Sequence, residues 1–194
     1  MEPFTMVALA LGALLFKGGG AATYKTILAA GETWASKIPN HALPGKTAES
    51  KALRRANAQV IEETLKANKW GDDRVIQAAI VNAVRESGLR NDAAGDGGHS
   101  IGLFQLNDHG GLGVGVSKED RYNPVKNTLI MIKWLNKSYG AGFRKVAADP
   151  NATAEDLADA WTRYLERPKF PEAEGQKSRA LVRKLWPQAT GSLT

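Results

Sequence analysis

Two short runs, Glu86-Ser87-Gly88-Leu89 and Ser100-Ile101-Gly102-Leu103-Phe104-Gln105, decide how this chain is interpreted. The first run ends an apolar segment, and the second follows a loop with glycines at positions 95, 97 and 98. Glycine supplies the backbone angles of tight turns and allows a ligand to approach the main chain. An acid therefore lies close in sequence to a turn-rich loop and to a side-chain amide.

The segment 72–87 is predicted to form one helix that places Glu86 on its apolar face. Its apolar residues recur at helical spacing: Val75, Ile76, Ala79, Ile80, Ala83 and Val84. Asp72 or Asp73 can cap the first turn by accepting a hydrogen bond from a backbone N–H. Gly88 is suited to end the helix in the left-handed conformation.

Two effects are expected to raise the pKa of Glu86. Partial burial disfavours the charged carboxylate, and the partial negative charge at a helix C-terminus disfavours an anion. A carboxyl that stays protonated near neutral pH can protonate the leaving oxygen of a glycosidic bond. The alternative is an acid that merely reaches into solvent from a helix end.

Together these motifs resemble the lysozyme-like soluble lytic transglycosylases and their relatives, the goose-type lysozymes. Glu86-Ser87 matches the first motif of that family. The run Gly102 to Gln105 matches the second, with Ser100 preceding it at the usual offset. The segment 123–127, which begins Asn123-Pro124, matches an Asn-rich helix start.

The stretch WTRYLERP at residues 161–168 resembles an aromatic-Glu-Arg-Pro sequence of phage tail-associated members. The resemblance covers roughly residues 50–187. We expect a mostly helical, lysozyme-like domain with at most a small β-hairpin near Gly102 to Leu106. Residues 101–106 are expected to form a short extended segment. The resemblance implies cleavage of peptidoglycan between N-acetylmuramic acid and N-acetylglucosamine, by an enzyme of the phage particle that acts in the host envelope.

The resemblance also implies roles for individual residues. Glu86 would be the general acid and then the general base. The residues implied in substrate binding are Ser87, Ser100, Phe104, Gln105 and Tyr164. Of these, Tyr164 is the candidate for the tyrosine that contacts the catalytic acid in the family. No metal or organic cofactor is implied.

The number of catalytic carboxylates separates two mechanisms. A hydrolase usually needs a second carboxylate, for which the candidates are Asp92, Asp96 and Asp108. The resemblance implies that a lytic transglycosylase manages with one and releases 1,6-anhydro sugars. Because Asp96 lies between glycines, where Asp is favoured for local hydrogen bonding, we prefer the transglycosylase and keep the lysozyme as the alternative.

Composition restricts the remaining classes. The 194 residues include no cysteine, so the chain has no disulfide and no thiol chemistry. The net charge of +6, with basic clusters in 46–69 and 167–184, fits either solvated helix faces or attraction to an anionic bacterial envelope. No nucleic-acid motif is present, so no nucleic-acid partner is expected, and a basic nucleic-acid-binding helical protein is kept only as a further alternative. The histidines show no metal-ligand spacing: His41, His99 and His109.

Three segments are predicted along the chain: an apolar N-terminal helix at 1–20, a helical arm and linker at 21–46, and the catalytic domain at 47–190. Residues 4–16 are almost continuously apolar, and as a helix they would be about 20 Å long, short of the roughly 30 Å of a bilayer core. This segment is interpreted as a membrane-inserting anchor, a packing segment against virion proteins, or an atypical signal peptide. A structural virion or membrane protein that retains the fold is the alternative to an enzyme.

Overall fold

Helices make up most of the computed structural model, which describes residues 32–187. In chain order its α-helices are α1 (Trp34–Lys37), α2 (Ala48–Ala67), α3 (Asp73–Ser87), α4 (Lys118–Tyr122), α5 (Pro124–Leu135), α6 (Ala141–Ala147), α7 (Ala154–Trp161) and α8 (Pro171–Leu185). Single helical turns of other types are the 3-10 turns Asp96–Gly98 and Ser138–Gly140 and the π-helical turn Thr162–Glu166. The strands are β1 (Ala94–Gly95), β2 (Ser100–Ile101) and β3 (Leu106–Asn107). The predicted fold class, a mostly helical lysozyme-like domain with a small β element, is confirmed.

Helix α3 lies at the centre of the fold, between α2, α7 and α8. Asp72 caps it by accepting a hydrogen bond from the backbone N–H of Arg74 at 2.8 Å, as predicted. Its apolar stripe is fully buried, since Ile76, Ala79, Ile80 and Ala83 have no exposed surface. Gly88 ends the helix with φ of 62°, which is the left-handed conformation expected of a glycine at this position. The helix that carries Glu86 is therefore held on several sides.

Residues 32–46 of the predicted arm pack against this helical body. The guanidinium of Arg55, on α2, donates hydrogen bonds to the backbone carbonyls of Ala35 and Ile38 at 2.6 and 2.7 Å. The indole Nε1 of Trp186 donates to the carbonyl of Trp34 at 3.1 Å. The described part of the arm thus joins the core of the domain that follows it.

The β element is a three-stranded antiparallel sheet with the order β1-β2-β3. The predicted extended segment 101–106 is instead a tight turn between β2 and β3. Gly102 has φ of 81° and Gln105 has φ of 44°, so the chain reverses between them. A Cβ atom at Gly102 would lie 2.2 Å from the carbonyl oxygen of Arg121. Glycine alone permits this close approach, and it also adopts the positive φ of the turn without strain.

The predicted helix start at Asn123-Pro124 is also present. The side chain of Asn123 accepts hydrogen bonds from the N–H groups of Val125 and Lys126, both at 3.1 Å. Pro124 occupies the first helical position, where its missing N–H has no partner to lose. Helix α5 is thereby fixed beside the β2–β3 turn.

The predicted apolar helix of residues 1–20 lies outside the described residues, as do residues 21–31 and 188–194. Among the described helices, none combines the length and the apolar character needed to cross a lipid bilayer.

Candidate active site

An open cleft of about 880 Å³ lies at the C-terminal end of α3. Its lining comes from the end of α3, the β2–β3 turn and the loop at 110–114. Residues of α5, Tyr139 and the segment 165–168 complete the lining. Glu86 lines this cleft together with Phe104 and Gln105, so three of the predicted site residues are brought together. The cleft is the candidate active site.

Glu86 is half-buried at the last turn of α3. Burial raises the pKa of its carboxyl, and the nearby negative charge of Asp96 acts in the same direction. The positive charge of Arg85 and a hydrogen bond from Glu166 oppose the increase. The direction predicted for the pKa of Glu86, and burial as its main cause, agree with the structure.

Glu166 is a second acid of the cleft, which the sequence interpretation did not include among the candidates. Its side chain is 14% exposed, and its carboxyl is hydrogen-bonded to that of Glu86. Burial, and then the charge of Glu86, raise the pKa of Glu166 to about 7. Two buried carboxyls in contact cannot both ionise without strong repulsion. The pair therefore retains one shared proton over a range of pH and titrates as a unit.

Arg85 contacts this pair and lines the same cleft. Its guanidinium donates to Glu166 Oε2 at 3.0 Å and to Glu174 Oε2 at 2.7 Å. It also donates to the hydroxyl oxygen of Thr162 at 3.0 Å. Arg85 thus connects the end of α3 to the π-helical turn and to α8, and it supplies a positive charge next to the two acids.

The π-helical turn Thr162–Glu166 presents Glu166 to the cleft. It continues directly from α7 and ends at Arg167, which has the left-handed φ of 55°. Single π turns within helices are frequent at functional sites. A recognisable signal for Glu166 was present in the sequence, since this acid is the Glu of the stretch WTRYLERP.

Ser87 makes its hydrogen bonds to the protein backbone and does not face the cleft. Its hydroxyl lies 3.0 Å from the carbonyl oxygen of Ala83 and 2.9 Å from that of Leu103. It also accepts a hydrogen bond from the N–H of Arg90 at 3.1 Å. Ser87 therefore fastens the end of α3 to the β2–β3 turn, and it is absent from the residues that line the cleft.

Asn127, on α5, anchors the β2–β3 turn. This fully buried side chain accepts a hydrogen bond from the N–H of Phe104 at 3.1 Å. Its amide nitrogen donates to the carbonyls of Arg121 at 2.6 Å and Ile101 at 3.2 Å. The Asn-rich motif thus has a structural explanation, because it fixes the backbone next to Glu86.

Phe104 and Gln105 contribute differently to the cleft. Phe104 is only 6% exposed and stacks on Trp161 with ring centroids 5.9 Å apart, so it mainly supports the cleft floor. The amide nitrogen of Gln105 donates to the carbonyl of Gly102 at 3.0 Å. Gln105 therefore braces its own turn while lining the cleft.

Ser100 is buried in β2 and does not line the cleft. Its hydroxyl donates to the carboxylate of Asp96 and accepts from Asn107 Nδ2 at 3.0 Å. These contacts hold Asp96, in the turn between β1 and β2, against the small sheet, which is the local role predicted for it. From there its negative charge raises the pKa of Glu86.

Tyr164 does not reach Glu86. It lies at a different depression, on the side of α7 that faces Arg163 and Arg179, and it is 43% exposed. Its ring covers Gly142, where a Cβ atom would lie 2.4 Å from Tyr164 Cδ1. The π-helical turn is the reason, because its wider winding places Leu165 in the core and turns Tyr164 outward.

Tyr139 is an exposed tyrosine of the cleft itself. It meets Trp134 edge to face with ring centroids 5.2 Å apart. The Arg167 guanidinium carbon lies 5.2 Å from the centroid of the Tyr139 ring, within the range of cation–π attraction. These three side chains form a surface that we call the aromatic wall, which the sequence interpretation did not identify.

The remaining acids proposed as a second carboxylate are engaged elsewhere. Asp92 is an exposed partner of Arg90 at 3.0 Å. Asp108 accepts hydrogen bonds from Arg121 at 2.6 Å and pairs with His99 at 2.9 Å. Neither lines the cleft. Two of the histidines, which show no metal-ligand spacing in the sequence, nevertheless meet in the fold, since His99 and His109 stack with ring centroids 3.5 Å apart.

Comparison with known proteins agrees with this geometry. Neither the curated proteins nor the solved structures gave a significant match to the chain. A family model described as phage tail lysozyme matches residues 56–185, a span that contains Glu86, the β2–β3 turn and Glu166. This match supports a lysozyme-like function in peptidoglycan degradation, and it does not point to soluble lytic transglycosylases or goose-type lysozymes in particular. The chain belongs to the phage tail lysozyme family.

Proposed function

We propose that this protein is a lytic transglycosylase that cuts peptidoglycan between N-acetylmuramic acid and N-acetylglucosamine, with Glu86 as acid and then base. The observation that carries the proposal is the hydrogen-bonded pair of Glu86 and Glu166 in the cleft. Such a pair supplies a proton near neutral pH, which an ordinary exposed glutamate does not.

In the first step Glu86 protonates the glycosidic oxygen, and the bond from that oxygen to the anomeric carbon breaks. The pair is then doubly negative. Arg85, which contacts Glu166 at 3.0 Å, stabilises this state without removing the repulsion between the two carboxylates. Glu86 is therefore a stronger base after the first step than an isolated glutamate would be.

In the second step Glu86 takes the proton from the C6 hydroxyl of the muramic acid residue. The C6 oxygen forms a bond to the anomeric carbon and closes a 1,6-anhydro ring. The proton given in the first step is thus recovered, and no water is consumed. The substrate's own acetamido group assists at the anomeric carbon, as the family resemblance implies.

The positions of the acids favour this route over hydrolysis. The two carboxyls of a retaining hydrolase are about 5–5.5 Å apart, and those of an inverting hydrolase are about 6.5–9.5 Å apart. Glu166 is in hydrogen-bond contact with Glu86, so it lies on the same side of any bound sugar. Among the described residues that line the cleft, no other carboxylate is available as a nucleophile or base.

The aromatic wall is proposed to bind the sugar chain. Tyr139 is 45% exposed, and Trp134 is braced by a hydrogen bond from its Nε1 to the carbonyl of Leu112 at 3.2 Å. Aromatic faces pack against the apolar faces of sugar rings, while the tyrosine hydroxyl remains available to polar partners. Arg167, next to Tyr139, adds a positive charge where the acidic groups of peptidoglycan would pass.

Family membership supports a site of action at the bacterial cell wall, and we propose that the protein is carried on the virion and acts during phage entry. We further propose that residues 4–16, which lie outside the described residues, contact lipid or a virion protein. The support for this contact is their almost continuous apolar sequence. Sedimentation of the full chain with phospholipid vesicles, compared with Leu14→Glu, tests the lipid contact.

Mass spectrometry of the fragments released from purified peptidoglycan tests the reaction. We expect anhydro-muramyl products, and no release by Glu86→Gln. Products with reducing ends would show a hydrolase instead, and would require a water molecule to be activated in the same cleft. If Glu86→Gln released as many peptidoglycan fragments as the native protein does, Glu86 would have no catalytic role in either reaction.

A further inference from the structure

We infer that His99, Asp108 and His109 form a binding site for a divalent transition metal, best matched to Zn²⁺. Each residue offers one ligand atom, and these atoms all lie within 4.8 Å of one another. The two imidazole rings are stacked with centroids 3.5 Å apart and an interplanar angle of 30°. The three ligand atoms are therefore close enough together to share one ion.

The fold, rather than sequence spacing, brings these residues together. Strands β2 and β3 are antiparallel and pair Ser100 with Asn107, so the flanking residues His99 and Asp108 face each other. The N–H of Asp108 donates to the carbonyl of His99 at 3.4 Å. His109 is held next, because its N–H donates to Asn107 Oδ1 at 2.7 Å. The backbone positions of all three ligands are therefore fixed.

The chemistry of the ligands selects the class of ion. Two imidazole nitrogens and one carboxylate oxygen match the sites in which zinc has three protein ligands and a fourth, open position. Ca²⁺ and Mg²⁺ prefer an all-oxygen shell, so they fit poorly. His99 Nδ1 already lies 2.9 Å from Asp108 Oδ1, a separation close to that of two ligands on one metal ion.

Arg121 supports the proposed metal site by contacting one of its ligands, Asp108. Its side chain is 3% exposed, and it donates to Asp108 Oδ2 at 2.6 Å, to the carbonyl of Leu106 at 3.0 Å, and to the carbonyl of His99. This contact orients the carboxylate so that Oδ1 is directed at His99, which is the role of residues that support metal ligands. Its positive charge also weakens the binding of a cation, so we expect an affinity below that of a structural zinc finger.

The site is separate from the candidate catalytic cleft but adjacent to its rim. None of its three ligands lines the cleft, whereas their neighbours Asn107 and Gly110 do. His109 is exposed and the other two ligands are partly exposed, so an ion can enter from solvent. A bound metal would tie the loop after β3 to the start of β2.

Calorimetric titration of the full chain with ZnCl₂, on protein without an affinity tag, tests the inference. We expect one Zn²⁺ per chain. His109→Ala should weaken binding at least about tenfold, as the loss of a supporting contact alone does in metal sites. His41→Ala is the matched control, because the chain's remaining histidine lies far from the cluster in sequence, and it should bind as the native protein does. Substitution with Co²⁺ should give the visible absorption bands of a tetrahedral site.

Two results would overturn the inference: no uptake of Zn²⁺ by the native chain, or native affinity in both His109→Ala and His99→Gln. His109 is exposed, so its substitution should leave the thermal unfolding midpoint of the metal-free protein unchanged. That midpoint should rise when Zn²⁺ is added to the native chain, and it should not rise for His109→Ala.

Discussion

The carboxyls of Glu86 and Glu166, separated by eighty positions in the chain, share a hydrogen bond in the cleft. Glu86 lies in the last turn of a long buried helix, and Glu166 ends a single π-helical turn. Arg85 contacts Glu166 and lies next to Glu86 in the chain. The three residues form one charged cluster, in which the two carboxyls titrate together beside a single positive group.

Glu86→Gln should abolish cleavage of purified peptidoglycan while preserving the fold. Removal of a general acid typically costs about 10²–10⁴ in rate, and here the same group is also the base. The release of soluble fragments measures the rate. Glu49→Gln, at an exposed position on α2, is the matched control and should cleave at the native rate.

The stability of Glu86→Gln should not fall below that of the native protein at pH 8. A carboxyl whose pKa is raised on folding binds its proton more tightly in the folded state, so its ionisation destabilises the fold as the pH rises. For Glu166 this loss spans the range from the ordinary pKa of 4.5 to about 7. The substituted amide carries no charge, so the repulsion between the two acids disappears. A clear drop in the thermal midpoint at pH 8 would contradict this account of the pair.

Glu166→Gln should shift the pH profile of cleavage rather than only reduce its height. In the native protein, activity should fall as the pH rises through about 7, where the shared proton is lost. With Gln at position 166, the loss of the proton from Glu86 no longer creates a second negative charge beside the first, and Arg85 still lowers the pKa of Glu86. The decline on the alkaline side should therefore move to lower pH.

Glu172→Gln is the control for this shift, since Glu172 pairs with Arg163 at 2.9 Å on an exposed surface. It should leave the pH profile of cleavage in place. An unchanged alkaline limb in Glu166→Gln would mean that Glu166 does not set the proton affinity of Glu86, and that its role is confined to the ion pair with Arg85.

Tyr139→Ala should weaken substrate binding, and Tyr164→Ala should not. Tyr139 lines the cleft, whereas Tyr164 covers Gly142 at a different depression. The loss of an aromatic contact of about 1 kcal/mol corresponds to an increase of about fivefold in KM on soluble glycan fragments. If Tyr164→Ala raised KM and Tyr139→Ala did not, the aromatic wall would be assigned to the wrong surface.

Gly102→Ala should destabilise the fold more than Gly98→Ala. Both glycines have positive φ, of 81° and 96°, so both substitutions carry a backbone cost of about 1–2 kcal/mol. At Gly102 the new Cβ would also meet the carbonyl of Arg121 at 2.2 Å and the amide of Asn127 at 2.4 Å, whereas Gly98 has open space. The expected loss in free energy of unfolding is roughly 2–4 kcal/mol for Gly102→Ala, measured by urea denaturation.

Local rules predicted the parts of this fold that depend on near neighbours in the chain. The Asp72 cap, the left-handed Gly88 and the apolar stripe of α3 follow from helical spacing and capping chemistry. The same holds for the Asn123-Pro124 start of α5. These features placed Glu86 correctly on a half-buried helix end. They explain why the raised pKa of its carboxyl could be predicted from the sequence.

The residues that were missed depend on contacts over longer distances or on irregular backbone. Tyr164 was expected near Glu86 from the family resemblance, but the π-helical turn directs its side chain elsewhere. His99 and His109 meet because of the β2–β3 register, which spacing in the sequence does not specify. Predicting the role of Glu166 required both the irregular backbone of the π-helical turn and a long-range contact, because its partner Glu86 lies on another helix.

The π-helical turn also bears on which changes in length this chain can tolerate. A π turn accommodates one residue more than an α-helical turn does. Deletion of a single residue between Thr162 and Leu165 would allow α7 to continue as a regular helix and would rotate the following acid away from Glu86. The paired acids are therefore vulnerable to a shift in length at this point, even where every chemical group of the site is retained.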